Sequence, residues 1–114
     1  MDKYELQKRL KSFAHRCVLF ARDLPRTPLG NYFHGQLIRS AFSAAANYRS
    51  ACIAQSRASF IAKLSIAFEE ADESSFWVEN ILDLELINKE RILPLHHEGI
   101  ELAKILGAAR KNSR

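Results

Sequence analysis

Six apolar residues near the start of the chain, Leu6, Leu10, Phe13, Cys17, Phe20 and Leu24, follow one another in steps of 4, 3, 4, 3 and 4. A helix puts that spacing on one line, whereas a strand would scatter the same residues over both faces. The spacing predicts a helix over about residues 3–24 that buries one stripe against its neighbours. Composition extends the argument to the whole chain. Its 114 residues include 4 Gly, 3 Pro, 2 Val and 1 Thr, too few turn formers and β-branched residues for a sandwich or barrel. That length makes one domain with a single core.

The stretch from Leu24 to Asn31 holds Pro25, Pro28 and Gly30 and reads as a loop, with Asn31 placed to cap the next helix. A second helix is expected over 32–54. One stripe on it is Phe33, Leu37, Ala41, Ala44, Ala45 and Tyr48; a second is Ile38, Phe42 and Ala46. Two stripes need two neighbours, either within a bundle or across a subunit interface. Ser56 suits the N-cap of a third helix over 56–88, with a core line running from Phe60 and Leu64 to Ile81 and Leu82. Pro94 suits the first turn of a fourth helix over 94–110, buried through Leu95, Leu102, Ala103, Leu106 and Ala109. The basic tail from Arg110 to Arg114 reads as frayed. Four helices with short connections give an all-α, antiparallel up-down four-helix bundle over residues 1–114.

Charge is segregated along the chain. Residues 1–68 carry 11 Lys and Arg against 3 Asp and Glu, residues 69–85 carry 7 acids and no base, and residues 86–114 carry 6 bases and 3 acids. Such blocks suit polyanion binding by the basic part, pairing of opposite blocks between chains, or plain solvated faces. Lys8, Lys11, His15 and Arg22 share the helix face opposite the first apolar stripe. Arg39, Arg49, Arg57 and Lys63 stand near Tyr48 and Phe60, a mixture of cations and aromatics able to hold phosphates and stack bases, although both rings also fit core stripes. Phe76 and Trp77 are consecutive, so one of them can reach the bundle edge as an interface anchor beside the acidic block.

No catalytic constellation is legible. Glu69, Asp72 and Glu73 share a face, but a di-metal bundle needs inward carboxylates on four helices and Glu-x-x-His on two, and the chain has no Glu-x-x-His. His96 and His97 are adjacent and diverge on a helix, while His15 and His34 are isolated. Neither a nucleophile elbow nor a glycine-rich phosphate loop is present. Cys17 and Cys52 form no Cys-x-x-Cys pair and read as buried small hydrophobes. The expectation is a non-enzymatic protein with no metal and no cofactor. No apolar run approaches the ~18–20 residues of a membrane span, and residues 1–5 lack a signal-peptide core, so a cytoplasmic protein is expected.

The central block reads Arg39-Ser40-Ala41-Phe42-Ser43-Ala44-Ala45-Ala46-Asn47-Tyr48-Arg49. It is followed by Ser56-Arg57-Ala58-Ser59-Phe60-Ile61-Ala62-Lys63-Leu64, then Glu69-Glu70-Ala71-Asp72-Glu73 ahead of Phe76-Trp77. This resembles the bacterial four-helix-bundle family known as 23S rRNA intervening-sequence proteins, over about residues 3–110 and most specifically over 39–87. Ala41 and Phe42 depart from the small or Thr residues of the family pattern. The resemblance implies a short up-down bundle and a ring-shaped homo-oligomer, a pentamer, as in related accessory proteins of diversity-generating retroelements. Those relatives bind nucleic acid and a reverse transcriptase through basic surfaces. Carried over, the implied functional positions are Arg39, Asn47, Tyr48, Arg49, Arg57, Lys63, Glu69, Glu70 and Glu73, with Asn47 and Glu73 equally suited to bonding between helices.

Two functions follow as expectations. In the first, an oligomer binds RNA or DNA through Lys8, Lys11, Arg22, Arg39, Arg49, Arg57 and Lys63, while Phe42, Asn47, Tyr48, Glu69, Glu70, Glu73 and Trp77 serve interfaces or structure. In the second, the acidic block 69–85 and Trp77 dock a basic protein partner.

Overall fold

The computed structural model describes residues 1–113 and contains four helices, α1 (Lys3–Ala21), α2 (Pro28–Cys52), α3 (Arg57–Asp83) and α4 (Lys89–Asn112). Arg114, the last residue of the basic tail, lies outside the described residues. The bundle measures 44 × 23 × 20 Å, its long axis close to the ~40 Å that the 27 residues of α3 span at 1.5 Å each. The helices are arranged α1–α2–α3–α4 around the core; α2 against α3 is the broadest seam and α1 against α4 the narrowest. Neighbours run antiparallel. Ser40 of α2 meets Ser74 of α3, whereas the earlier Tyr32 meets the later Trp77. Likewise Gly99 of α4 faces Ser75, and Gly107 faces Phe68.

Caps explain where each helix begins. Asp2 accepts from the backbone N–H groups of Tyr4 and Glu5, both at 2.9 Å, and starts α1. This contact holds the Asp2 carboxyl below the ordinary carboxylate range, chiefly through the Glu5 N–H. Ser56 caps α3 by accepting from the Ser59 N–H at 3.0 Å.

Two starts differ from the sequence expectation. α2 begins at Pro28, four residues before Tyr32, because the Thr27 hydroxyl accepts from the Gly30 N–H at 3.0 Å and Pro28 is the first helical residue. Asn31 is therefore inside the helix. Proline is preferred at that first position, so the apparent loop-breaker is part of the helix start. α4 begins at Lys89, with the Asn88 side chain accepting from the Glu90 N–H, and Pro94 lies inside the helix. There it removes the N–H that would bond the Glu90 carbonyl, and its exposed ring is tolerated on the outer face.

The ends differ too. α1 stops at Ala21, although Leu24 still packs into the core from the following turn. α3 stops at Asp83 instead of residue 88. Glu85 adopts a left-handed conformation (φ 54°), its N–H bonds the Leu82 carbonyl at 3.1 Å, and the Leu86 N–H bonds the Ile81 carbonyl at 3.0 Å. This is the Schellman pattern, usually announced by glycine. Glu85→Gly is therefore expected to raise stability by about 1 kcal/mol, read as a higher urea midpoint at unchanged m value. α4 continues to Asn112, so residues 110–112 are helical rather than frayed.

The core takes the predicted stripes. Leu6, Leu10, Phe13, Cys17 and Leu24 are buried, and Phe20 is half-buried beneath the Arg91 guanidinium. On α2 the first stripe is largely buried and the second is not; Phe42 is 39% exposed. The buried serines Ser40 and Ser74 interrupt the apolar interior. The Ser40 hydroxyl donates to the Gln36 carbonyl at 2.8 Å, and the Ser74 hydroxyl lies 3.0 Å from Ser40 Oγ and 2.9 Å from the Glu70 carbonyl. Both hydroxyls are thus satisfied, which removes most of the cost of burying them. Cys17 and Cys52 are free thiols, and burial pushes the Cys17 thiol up to about 12. Cys17 is thereby kept protonated at neutral pH and acts as a small hydrophobe.

Candidate nucleic-acid interface

The fold sorts the cations into neutralised and free groups. Arg9 on α1 forms a two-pronged contact with Glu98 on α4, at 2.7 and 3.2 Å, with Glu101 at 3.4 Å. The Glu98 hydrogen bond raises the Arg9 pKa further above its ordinary value. Arg91 of α4 pairs with Asp23 at 2.7 Å. Arg39 of α2 bridges to α3, donating to Glu70 at 2.8 Å and to Glu73. Glu73 also accepts from the Trp77 indole N–H at 3.0 Å. Arg39, Glu70, Glu73 and Trp77 therefore form a polar clasp above the Ser40–Ser74 pair, closing the α2–α3 seam.

Four of the residues singled out from the sequence are thus brought together, but as a structural device. Arg39 is engaged by two carboxylates and is not a free cation for phosphate. Glu69, on the outer face of α3, is exposed and stands outside the clasp. Asn47 does not bond between helices; its side-chain N–H donates one turn back to the Ser43 carbonyl at 2.9 Å. Tyr48 is buried, and burial raises its phenol pKa well above the ordinary value. Phe60 is half-buried against the core. Burial withdraws Tyr48 from stacking, whereas Phe60 lines a shallow depression of about 600 Å³ with Lys3, Tyr48 and Arg57.

The remaining cations divide by place. Lys8 and Lys11 of α1 and Arg49 of α2 line one groove of about 670 Å³ between these helices, together with Tyr4, His15 and Phe42. No acidic side chain lines it. Among the described residues no carboxylate lies within ion-pair distance of Lys8, Lys11 or Arg49. Arg22 stands apart, at the α1–α2 turn, in a depression of about 550 Å³ that also holds Arg26 and His34. Arg57 donates to the Ser113 backbone carbonyl, tying the start of α3 to the end of α4. Lys63 is exposed on α3 and lines none of these depressions.

Phe42 and Tyr4 are the aromatic residues that sequence reasoning misplaced or missed. The second α2 stripe already marked Phe42 as needing a partner. Structure supplies only half of one, His15, whose ring centre is 6.0 Å from that of Phe42. Tyr4 is 69% exposed and carried no signal beyond its i, i+4 relation to Lys8.

The family model for the 23S rRNA-intervening sequence protein matches residues 2–108, nearly the whole chain. The chain belongs to that family. A crystal structure from the S23 ribosomal protein family of Bacteroides thetaiotaomicron VPI-5482, a protein of unknown function, is 33% identical. The match covers 97% of this chain and 99% of that one, with a TM-score of 0.86. No curated protein matches. The α2–α3 clasp of Arg39, Glu70, Glu73 and Trp77 falls within the stretch 39–87 that carries the sequence resemblance. The α1–α2 groove draws its lysines from outside that stretch. No helix is long and apolar enough to cross a membrane among the described residues.

Proposed function

We propose that this intervening-sequence family protein is a non-enzymatic bundle that binds RNA through the α1–α2 face, working as a homo-oligomer. The observation that carries the reading is the sorting of its cations. Arg9, Arg39 and Arg91 are neutralised by neighbours, whereas Lys8, Lys11 and Arg49 converge on a groove that, among the described residues, no carboxylate lines. Charge gathered in this way attracts phosphates and releases their counterions, so affinity falls steeply as salt rises. A cytoplasmic protein with a pentameric ring would multiply a modest charge per chain into a large basic surface.

The test is an RNA-binding titration across salt concentrations. Lys11→Ala and Arg49→Ala are each expected to lower the slope of log K against log salt by about 0.7 per contact with a single strand. Unchanged slopes in both would remove the groove from the contact surface. Size exclusion with light scattering, run with and without RNA, reads the oligomer; a monomer would defeat the oligomeric part.

A second reading draws on a different surface. Phe76 and Tyr32 are both about half exposed, and each packs its ring against Trp77, at 5.2 and 5.6 Å. Exposed aromatics beside the acids Asp72, Glu79 and Asp83 suit docking of a basic protein, of which a reverse transcriptase is one instance. Charge reversal at Asp72 and Glu79 then weakens that partner without altering RNA binding.

A further inference from the structure

We infer that the α1–α2 groove is a site for single-stranded nucleic acid, with an unpaired base stacked on Phe42 or Tyr4 and the flanking phosphates on Lys8, Lys11 and Arg49. This rests on the RNA reading above and specifies its ligand. The groove is bounded on the α1 side by Tyr4, Lys8, Lys11 and His15, spaced one turn apart along about 16 Å of helix. On the α2 side Ala45 and Ala46 carry nothing beyond Cβ and form a floor, while Phe42 and Arg49 rise at either end of it. An aromatic ring and a cation therefore bound the floor on both helices.

A duplex offers phosphates on its outside and keeps its bases stacked within. A surface built only for a duplex has no use for exposed rings in the charged groove. Single strands present both phosphates and ring faces, and base–aromatic stacking tolerates any sequence because every base has a π-face. Phe42 and Tyr4 are 39% and 69% exposed, so both rings have free surface to offer. The groove's volume of about 670 Å³ is within the usual range for a small-ligand site, enough for a nucleotide rather than for the width of a helix.

The experiment compares a labelled, unstructured RNA 12-mer with the same sequence annealed to its complement, by fluorescence anisotropy at fixed salt. The single strand is expected to bind about tenfold more tightly than the duplex. Phe42→Ala is expected to weaken single-strand binding about tenfold, within the range for loss of one stacked base, and to leave the salt slope unchanged. Phe42→Tyr keeps the ring and should keep the affinity, which separates stacking from damage to the fold. Tyr4→Ala, on an exposed first-turn side chain, provides a second reading with no core contact at stake. Equal affinity for both forms overturns the inference, as does an unchanged single-strand affinity in both Phe42→Ala and Tyr4→Ala. In those outcomes salt slopes that still respond to Lys11→Ala and Arg49→Ala leave the broader RNA reading standing. Failure of both RNA forms to bind overturns the two together.

Discussion

Gly30→Ala is expected to destabilise the protein by about 3 kcal/mol, a fall of roughly 12 °C in melting temperature for a chain of this size. A Cβ at Gly30 would stand 1.8 Å from the carbonyl oxygen of Pro25 and 2.8 Å from its carbonyl carbon. These are backbone atoms, so no rotamer change relieves the clash; the 22–27 turn has to move away from the first turn of α2. That movement disturbs the Thr27 cap and the buried Leu24 on the same segment. Alanine gains about 1 kcal/mol over glycine in helix propensity, which is too little to offset the clash. Gly35, on the same helix, provides the control. Nothing lies within 4 Å of its added Cβ, so Gly35→Ala is expected to stabilise by about 1 kcal/mol. The same substitution thus has opposite signs at two positions five residues apart. Urea unfolding of both variants measures this, and a neutral Gly30→Ala would show that the turn yields freely.

Leu37→Ala and Phe42→Ala form the second contrast. Leu37 is fully buried on the inner line of α2, and its truncation is expected to cost about 3 kcal/mol through lost transfer energy and the cavity left behind. Phe42 is the larger side chain and sits on the outer stripe, 39% exposed against His15. Its truncation is expected to cost only about 1 kcal/mol, because much of its surface is already in water. Denaturant titration of the two variants decides it. A Phe42→Ala loss as large as that of Leu37→Ala would mean the outer stripe is part of the core, and would count against its availability to ligand.

Much of the site was not legible from the chain. Basic residues could be counted and placed on helix faces, but linear reading could not separate a free cation from a paired one. Arg39 and Arg49 stand ten residues apart on the same helix and look alike in sequence. Arg39 faces α3, where Glu70 and Glu73 take up its charge, whereas Arg49 lines the α1–α2 groove with Lys8 and Lys11, and no acidic side chain is among the residues lining it. Tyr48 and Phe60 carried the expected stacking role because they neighbour cations in sequence, but Tyr48 turns inward and Phe60 is half-buried against the core. Phe42 and Tyr4 take their place at the groove because they fall on outward lines of adjacent helices. Two helix starts were displaced for a related reason: Pro28 and Pro94 mark turns equally well as words in a sequence, and only the caps at Thr27 and Asn88 say which turn each occupies.

The sequence alone determined that the chain makes four helices, which residues of the first point inward, and that charge is divided into blocks. Those properties are local: a 3.6-residue period, capping side chains and composition act within one helix and need no neighbour. Tertiary structure decided what those faces meet. It set the Schellman turn at Glu85, the bonding of the buried Ser40–Ser74 pair, the neutralisation of Arg39 and the grouping of Lys8, Lys11 and Arg49. Each depends on which helix lies alongside and at what height, and an electrostatic or packing energy is a function of that distance rather than of position along the chain.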